Sequence, residues 1–108
     1  MSEGNWVYAL EVAELADGEK KALVIDGQRI ALIRKTNEIF AISNKCVHME
    51  CPLSKGELEG YIIKCPCHDW RFDIRSGEFL DARELKVSVY GLKVSDGKIY
   101  LKMEGENQ

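Results

Sequence analysis

The sequence is short of the features that mark several large classes of protein. No stretch approaches the roughly 18 consecutive apolar residues that a membrane-spanning helix needs. Lysine and arginine are scattered, with Lys20-Lys21 and Arg34-Lys35 the only doublets, and the net charge is −3, so no basic stripe is available for nucleic acid. A glycine-rich dinucleotide-binding turn is also missing. We therefore expect neither a membrane protein, nor a nucleic-acid-binding protein, nor a nicotinamide-dependent dehydrogenase.

The N-terminal segment lacks the marks of an export signal. Met1-Ser2-Glu3-Gly4-Asn5-Trp6 has neither a basic n-region nor an apolar h-region. We therefore expect a cytoplasmic protein, and in that compartment cysteines bind metals more often than they form structural disulfides. With 108 residues, the chain is expected to form a single domain, residues 1–108.

No stretch shows sustained helical periodicity, and the chain instead consists largely of short apolar segments separated by turn residues. Asp26-Gly27 matches a two-residue hairpin turn, and Asp96-Gly97 is a second candidate. This pattern predicts an all-β fold, a small antiparallel barrel or sandwich. The predicted strands cover residues 6–15, 21–25, 28–34, 39–42, 85–90, 92–95 and 98–102.

The middle of the chain differs from both halves. Residues 43–60 and 65–77 are rich in Cys, His, Pro, Gly and Ser, and only residues 61–64 between them look like a strand. A long irregular region inside a compact domain is usually functional. This region contains every cysteine and histidine of the protein, namely Cys46, His48, Cys51, Cys65, Cys67 and His68.

Each of the two runs offers a thiol and an imidazole a residue or two apart. Two loop tips that present one sulfur and one nitrogen each can hold a metal centre. A structural zinc site with two Cys and two His would use the same ligands. Unligated core residues are the other alternative, because buried free cysteines are common, but six such residues within 23 positions are hard to explain by packing.

The ligand spacing resembles that of a known family. Cys46-x-His48 followed by Cys65-x-x-His68 is similar to the ligand pattern of Rieske iron–sulfur proteins. Residues 52–60 and 68–78 resemble the linker and second loop of the soluble ferredoxins of that family, and the β-rich halves resemble its basal domain. The resemblance implies a Rieske fold with an inserted two-loop cluster-binding subdomain at about residues 43–77.

The resemblance also implies a cofactor and its ligands. One [2Fe–2S] cluster would be held by Cys46 and Cys65 on one iron and by His48 and His68 on the other. Two neutral imidazoles in place of two thiolates make the centre less negative, so an electron is accepted more easily. Potentials in the family accordingly run from roughly −150 to +300 mV.

Cys51 and Cys67 are left over once these ligands are assigned. In Rieske proteins of respiratory and photosynthetic complexes, cysteines at the corresponding places form a disulfide that ties the two loops together, and the resemblance implies the same bond here. Many soluble ferredoxins of the family lack the pair, and a cytoplasmic setting argues against the bond. Two free packed thiols are the alternative.

The residues after His68 predict the tuning of the cluster. High-potential members place Ser and Tyr at the positions of Trp70 and Phe72, and neither residue found here can donate from a hydroxyl. We therefore expect a potential in the low-to-middle part of the family range. Trp70 is expected to be a packing residue. Asp69 replaces the usual Gly and tolerates left-handed backbone geometry; its carboxylate either acts on His68 or is simply solvated.

The predicted function is that of a soluble monomeric ferredoxin, which shuttles one electron between a reductase and an acceptor protein. A further mononuclear iron site with two histidines is excluded, because both histidines are assigned to the cluster. The chain itself is therefore expected to catalyse no bond-making reaction.

A small Rieske subunit of an oxygenase or nitrite-reductase-like complex is the first alternative to the ferredoxin. In that case Met49, Pro52, Leu53 and Pro66 would form an apolar docking patch, unless they pack the two loops against each other. A redox sensor or a zinc-binding structural module is the second alternative.

Overall fold

The computed structural model describes residues 5–25, 27–44, 51–67 and 69–103. These residues form eleven strands and two short 3₁₀ turns, Val12–Glu14 and Leu53–Lys55, which confirms the all-β prediction. The strands are β1 Asn5–Glu11, β2 Lys20–Ile25, β3 Gln28–Lys35, β4 Glu38–Ser43, β5 Glu57–Glu59, β6 Ile62–Lys64, β7 Arg71–Asp73, β8 Glu78–Phe79, β9 Ala82–Lys86, β10 Gly91–Ser95 and β11 Lys98–Met103.

The strands pair into three antiparallel sheets. One sheet has the order β1-β11-β10, a second is the meander β2-β3-β4, and the third has the order β5-β6-β7-β8-β9. In the five-stranded sheet, Cys65 directly follows β6 and Trp70 directly precedes its partner β7, so both ends of this part of the predicted second ligand loop lie at paired strands. Within the described ranges, no helix has both the length and the apolar character needed to cross a membrane.

Strand β3 lies between the two cores of the protein. Ile30, Ala31, Leu32 and Ile33 are all fully buried, which a strand with one solvent-facing side would not allow. Ile30 and Leu32 pack in one core with Leu10, while Ala31 and Ile33 pack in the other with residues of the five-stranded sheet. Because successive side chains of a strand point to opposite faces, this single apolar run fills both cores.

The hairpin prediction agrees with the described backbone. Asp96 and Gly97, between β10 and β11, both have positive φ angles, 55° and 74°, as a type I′ turn requires. Gly27 has a φ of 77°, while Asp26 lies outside the described residues.

The predicted strand at residues 85–90 is wrong in its extent. Strand β9 ends at Lys86, and beyond it the described residues form only an isolated bridge between Val89 and Ile42. The N–H of Val87 still donates to Gly77, but the N–H of Tyr90 donates to Ala41 of β4. The alternating sequence therefore changes partner midway, as the chain passes from the five-stranded sheet to β4.

Candidate metal centre

Cys65 lies at the start of a short closed loop between β6 and β7. Its backbone N–H donates to the carbonyl oxygen of Trp70 at 2.7 Å, and its carbonyl oxygen accepts from the N–H of Asp69 at 3.0 Å. These two bonds close the base of the loop between β6 and β7. The side chain of Cys65 is fully buried and forms no disulfide.

Cys51 and Cys67 form a disulfide, which confirms the pairing implied by the resemblance. Their Cα atoms lie 6.3 Å apart, and 16 positions separate them in sequence. The bond joins the residue that follows the predicted first ligand loop to the second loop. The sulfur atoms of Cys51, Cys65 and Cys67 all lie within 4.8 Å of one another. Cys51 at the end of the first loop and Cys67 of the second loop therefore meet beside the buried thiol of Cys65.

Asn44 anchors the other end of the first loop. It is buried although polar, its backbone N–H donates to the carbonyl of Arg29, and its side-chain oxygen accepts the N–H of Ser54 at 2.7 Å. The loop between Asn44 and Cys51 is thus fixed at both ends by residues that the structure describes. Sequence reasoning missed Asn44; a polar residue directly after an apolar strand was the available signal.

Three of the four predicted ligands lie outside the described residues. Cys46 and His48 belong to the undescribed segment 45–50, between the anchors Asn44 and Cys51, and His68 lies between Cys67 and Asp69. The structure therefore describes Cys65 and both boundaries of each loop. The proposed ligand set stays a prediction for these three residues.

The described residues fit a centre that needs a buried sulfur donor. Cys65 supplies a thiol that is shielded from water, and the disulfide draws the two loops together at the same point. Soft thiolate and imidazole ligands suit both iron–sulfur clusters and zinc. The geometry of the described residues alone therefore fits either an iron–sulfur cluster or a zinc ion.

Gly56 lets the linker between the two loops approach the strand before Cys65. Its backbone N–H donates to the carbonyl of Leu53, and a Cβ atom at this position would overlap the carbonyl oxygen of Lys64. Only glycine fits this close approach, because the atom that it avoids belongs to the backbone and cannot turn away. The linker therefore packs directly against the end of β6.

Trp70 packs under the second loop, as predicted. Its indole stacks on the ring of Phe79, with centroids 4.1 Å apart and planes 9° apart, and Phe79 also contacts Phe72 at 5.5 Å. Phe72 is fully buried. These aromatic rings connect the loop to the core shared by the five-stranded sheet and β3.

Asp69 has a φ angle of 59°, which confirms the left-handed backbone expected where the family usually has Gly. The side chain of Asp69 is exposed. The alternative that its carboxylate acts on His68 concerns a residue outside the described part of the chain and stays a prediction.

The apolar docking patch that the subunit alternative would need cannot include Leu53. Leu53 is fully buried in the core together with Ile63 and Phe72, because the 3₁₀ turn at Leu53–Lys55 points it inward. Pro66 is exposed, Pro52 is half-buried, and Met49 lies outside the described residues. Leu53 therefore packs the loops against the fold.

Charged groups hold the five-stranded sheet to the meander. Asp73 accepts hydrogen bonds from the guanidinium and the backbone N–H of Arg75, and these bonds lower the pKa of the Asp73 carboxyl. Arg75 lies over the ring of Tyr61 at 4.4 Å. The Tyr61 hydroxyl donates to Glu38 of β4, which raises the pKa of Tyr61. The chain of contacts links β7 to the β3–β4 hairpin.

The chain matches one protein family along most of its length. The model of the Rieske [2Fe–2S] domain matches residues 5–99. Identity to the ferredoxin component of the naphthalene 1,2-dioxygenase/salicylate 5-hydroxylase systems of Ralstonia sp. is 35% over 101 residues, which is 93% of this chain and 97% of that protein. Identity to the ferredoxin component of the 2,4-dinitrotoluene dioxygenase system of Burkholderia sp. (strain RASC) is 32%, over 96% of this chain and all of that protein.

Solved structures are similar in fold. The ferredoxin of carbazole 1,9a-dioxygenase from Nocardioides aromaticivorans IC177 superposes with a TM-score of 0.83 at 30% identity, over 91% of this chain and 97% of that one. A nitrite reductase small subunit from Mycobacterium tuberculosis gives 0.87 at 21% identity, over 97% of this chain and all of the other, which is a likeness of fold alone.

Proposed function

The chain belongs to the Rieske [2Fe–2S] domain family, and from this premise we propose that it is the ferredoxin component of a multicomponent oxygenase system. It is an electron-transfer protein that carries one [2Fe–2S] cluster and exchanges electrons with redox protein partners. Catalysis belongs to those partners. The partner named in the proposal is a terminal oxygenase, which would receive electrons one at a time.

The observation that best supports this proposal is the match to ferredoxin components along almost their whole length. The Ralstonia relative is covered to 97% and the Burkholderia relative to 100%, so the similarity extends over the complete relatives. Both relatives are named as ferredoxin components of dioxygenase systems that act on aromatic compounds.

We propose Cys46, His48, Cys65 and His68 as the cluster ligands, within a subdomain at about residues 43–77 of a single domain. The two cysteines supply thiolates, and the two histidines supply neutral imidazoles. When bound, the cluster takes up and releases one electron at a time. Burial of Cys65 supports this assignment, because a ligand thiolate shielded from water is protected from oxidation and alkylation.

The rest of the loop supports the centre without ligating it. The two hydrogen bonds at the base of the Cys65–Trp70 loop fix the backbone of Cys65. The Cys51–Cys67 disulfide fixes the first loop to the second. A rigid ligand frame lowers the structural change that accompanies each electron transfer.

Spectroscopy of the purified protein tests the cluster and its ligands. We expect a red-brown protein with equal amounts of iron and acid-labile sulfide, and an EPR signal of low average g on reduction by dithionite. Cys46→Ser and Cys65→Ser should lose the cluster, while Cys67→Ser, a matched change at a cysteine outside the ligand set, should keep it. Stoichiometric zinc without iron or sulfide would contradict the proposal.

Reconstitution tests the oxygenase role. The reductase and oxygenase of the Ralstonia and Burkholderia systems are assayed with their own ferredoxins withheld and this protein supplied. Product formation above the background without ferredoxin supports the proposal, and the cluster-free Cys65→Ser variant should give only background. If neither oxygenase turns over although EPR shows an intact cluster, the oxygenase role is wrong and the electron carrier has another acceptor.

A cytoplasmic location and a monomeric state are part of the proposal. Exchange with a separate reductase and a separate oxygenase favours a carrier that dissociates from both. Gel filtration of the purified protein and fractionation of cells that produce it naturally check these points. A stable complex with a larger subunit would instead indicate the small subunit of a reductase or oxygenase.

A further inference from the structure

Three of the four cysteine sulfurs converge at one point of the fold. The disulfide joins Cys51 to Cys67, and the unbonded sulfur of Cys65 lies within 4.8 Å of both of its atoms. A thiolate breaks a disulfide by attacking one of its sulfur atoms, so a free Cys65 needs a shift of only about 1 Å to reach contact distance. The structure thus places a nucleophile beside its own disulfide.

The three cysteines differ in exposure. Cys65 is fully buried, Cys51 is half-buried and Cys67 is exposed. Reagents in solution therefore reach Cys65 poorly, whereas a neighbouring sulfur is reached without solvent access. Among the two disulfide sulfurs, Cys67 is the better leaving group in its surroundings, because water solvates the charge of the departing thiolate.

We propose that Cys65 exchanges with the Cys51–Cys67 disulfide whenever it does not hold the cluster. The Cys65 thiolate attacks the Sγ of Cys51 and forms a Cys51–Cys65 bond; the bond to Cys67 breaks, and Cys67 leaves as a thiolate that takes a proton from water. One disulfide replaces another, so no oxidant or reductant is consumed. The inference rests on the proposed role of Cys65 as a ligand.

Attack on Cys51 is favoured over attack on Cys67 by chain geometry as well. A Cys65–Cys67 bond would close a very small ring across Pro66, whose backbone φ is fixed. A Cys51–Cys65 bond keeps the link between the two loops that the original disulfide provides. The fold can therefore accept the exchanged isomer with a local adjustment.

The exchange gives the protein two covalent states. With the cluster bound, Cys65 is occupied and the disulfide stays at Cys51–Cys67. After loss of the cluster, Cys65 is trapped in a disulfide and Cys67 is a free thiol at the surface. The trapped state cannot rebind a cluster until the exchange is reversed, when the Cys67 thiolate attacks the Sγ of Cys51 and Cys65 leaves as a thiolate.

Disulfide mapping by mass spectrometry tests the exchange. The cluster is removed from the holoprotein by acid and chelator without added thiol, and the protein is returned to mildly alkaline pH under argon. Samples are quenched with acid, alkylated while denatured and digested without reduction. Cys65 and Cys67 stay on the same tryptic peptide, so fragmentation of the linked peptide locates the bond. We expect the Cys51–Cys65 bond to rise from trace to the main disulfide species, while the alkyl label moves from Cys65 to Cys67. A holoprotein sample kept alongside should show no change.

Two variants identify the nucleophile. Cys65→Ser should keep the Cys51–Cys67 bond throughout, whereas Cys46→Ser, which removes the other proposed ligand thiol, should exchange as the wild type does. A Cys51–Cys67 bond that persists in cluster-free wild type overturns the inference, and so does exchange that continues in Cys65→Ser. If Cys65→Ser does not fold, the position of the bond within the linked peptide, at Cys65 or at Cys67, still decides in wild type and Cys46→Ser.

Different results would refute the proposed function and the disulfide exchange. A preparation that lacks iron and sulfide refutes the cluster, although the mapping can still be done on it. A preparation with a normal cluster whose disulfide never moves after cluster removal refutes the exchange alone.

Discussion

The indole of Trp70 lies flat on the ring of Phe79, with a centroid distance of 4.1 Å and an interplanar angle of 9°. The carbonyl of the same tryptophan accepts the N–H of Cys65 at 2.7 Å. One residue therefore connects the second ligand loop to the core by its side chain and closes the loop by its backbone.

Replacement of Trp70 by Ala should loosen the second loop. Loss of the half-buried stack is expected to cost about 2 kcal/mol, which corresponds to a fall in the apparent Tm of roughly 10 °C for a domain of this size. Thermal unfolding followed by cluster absorbance measures this fall in the apparent Tm. Trp70→Phe keeps a ring on Phe79 and should lose much less; an equal loss in both variants would contradict a role for the stack.

Removal of the disulfide should destabilise the fold without removing the cluster. A closed loop of about 15 residues contributes roughly 3 kcal/mol, so Cys51→Ser combined with Cys67→Ser should lower the apparent Tm by more than 10 °C. Iron and sulfide content immediately after purification should match the wild type. A cluster-free double variant would show that these cysteines do more than brace the loops.

Replacement of Gly56 by Ala should be far more damaging than a glycine change in an open turn. The new Cβ would overlap the backbone oxygen of Lys64, and relief of such overpacking costs about 2–3 kcal/mol. Gly60→Ala is the matched control, because nothing lies near its Cβ and only the positive φ of 62° is penalised, by about 1 kcal/mol. Chemical denaturation measures the free energy of unfolding of both variants. Equal losses in Gly56→Ala and Gly60→Ala would contradict the overlap with Lys64.

The Asp73–Arg75 pair should contribute to stability in a way that depends on pH. Hydrogen bonds from Arg75 lower the pKa of Asp73 below its usual 3.8, so the folded state binds fewer protons than the unfolded chain. The contribution is present above the unfolded pKa and disappears as the pH falls through the lowered value. Asp73→Asn should therefore be less stable than the wild type near neutral pH.

Urea titrations at neutral and strongly acidic pH check this dependence, with the exposed Asp81 changed to Asn as the control. The difference between wild type and Asp73→Asn should shrink in acid. A difference that stays constant with pH would show that the asparagine disturbs packing instead.

The midpoint potential should lie in the low-to-middle part of the family range, which spans roughly −150 to +300 mV. Trp70 and Phe72 have no hydroxyl that could donate to sulfur, and both rings are engaged with Phe79. Protein-film voltammetry or a dye-mediated redox titration gives the value. A midpoint well into the positive range would show that other donors replace the missing hydroxyls.

Much of the fold could be predicted from local sequence because its causes are local. The turn at Asp96-Gly97 requires two residues that tolerate positive φ, and both φ angles are positive. Strand β4 shows where local reasoning ends: Ala41 and Ile42 look alike in sequence, yet they face different cores. The strand predicted at residues 85–90 changed partner midway, which alternation cannot reveal, since the period is the same beside either sheet.

The sequence by itself determined the family and the proposed ligands, because the spacing of Cys46, His48, Cys65 and His68 is a property of two short segments. Tertiary structure decided what depends on residues far apart in the chain. Cys51 and Cys67 could have been free thiols, and the meeting of the two loops paired them. Leu53 became a core residue because the 3₁₀ turn directs it inward. The buried sulfur of Cys65 lies beside that disulfide because β6, β7 and the linker pack there, and no spacing within one segment encodes such a contact.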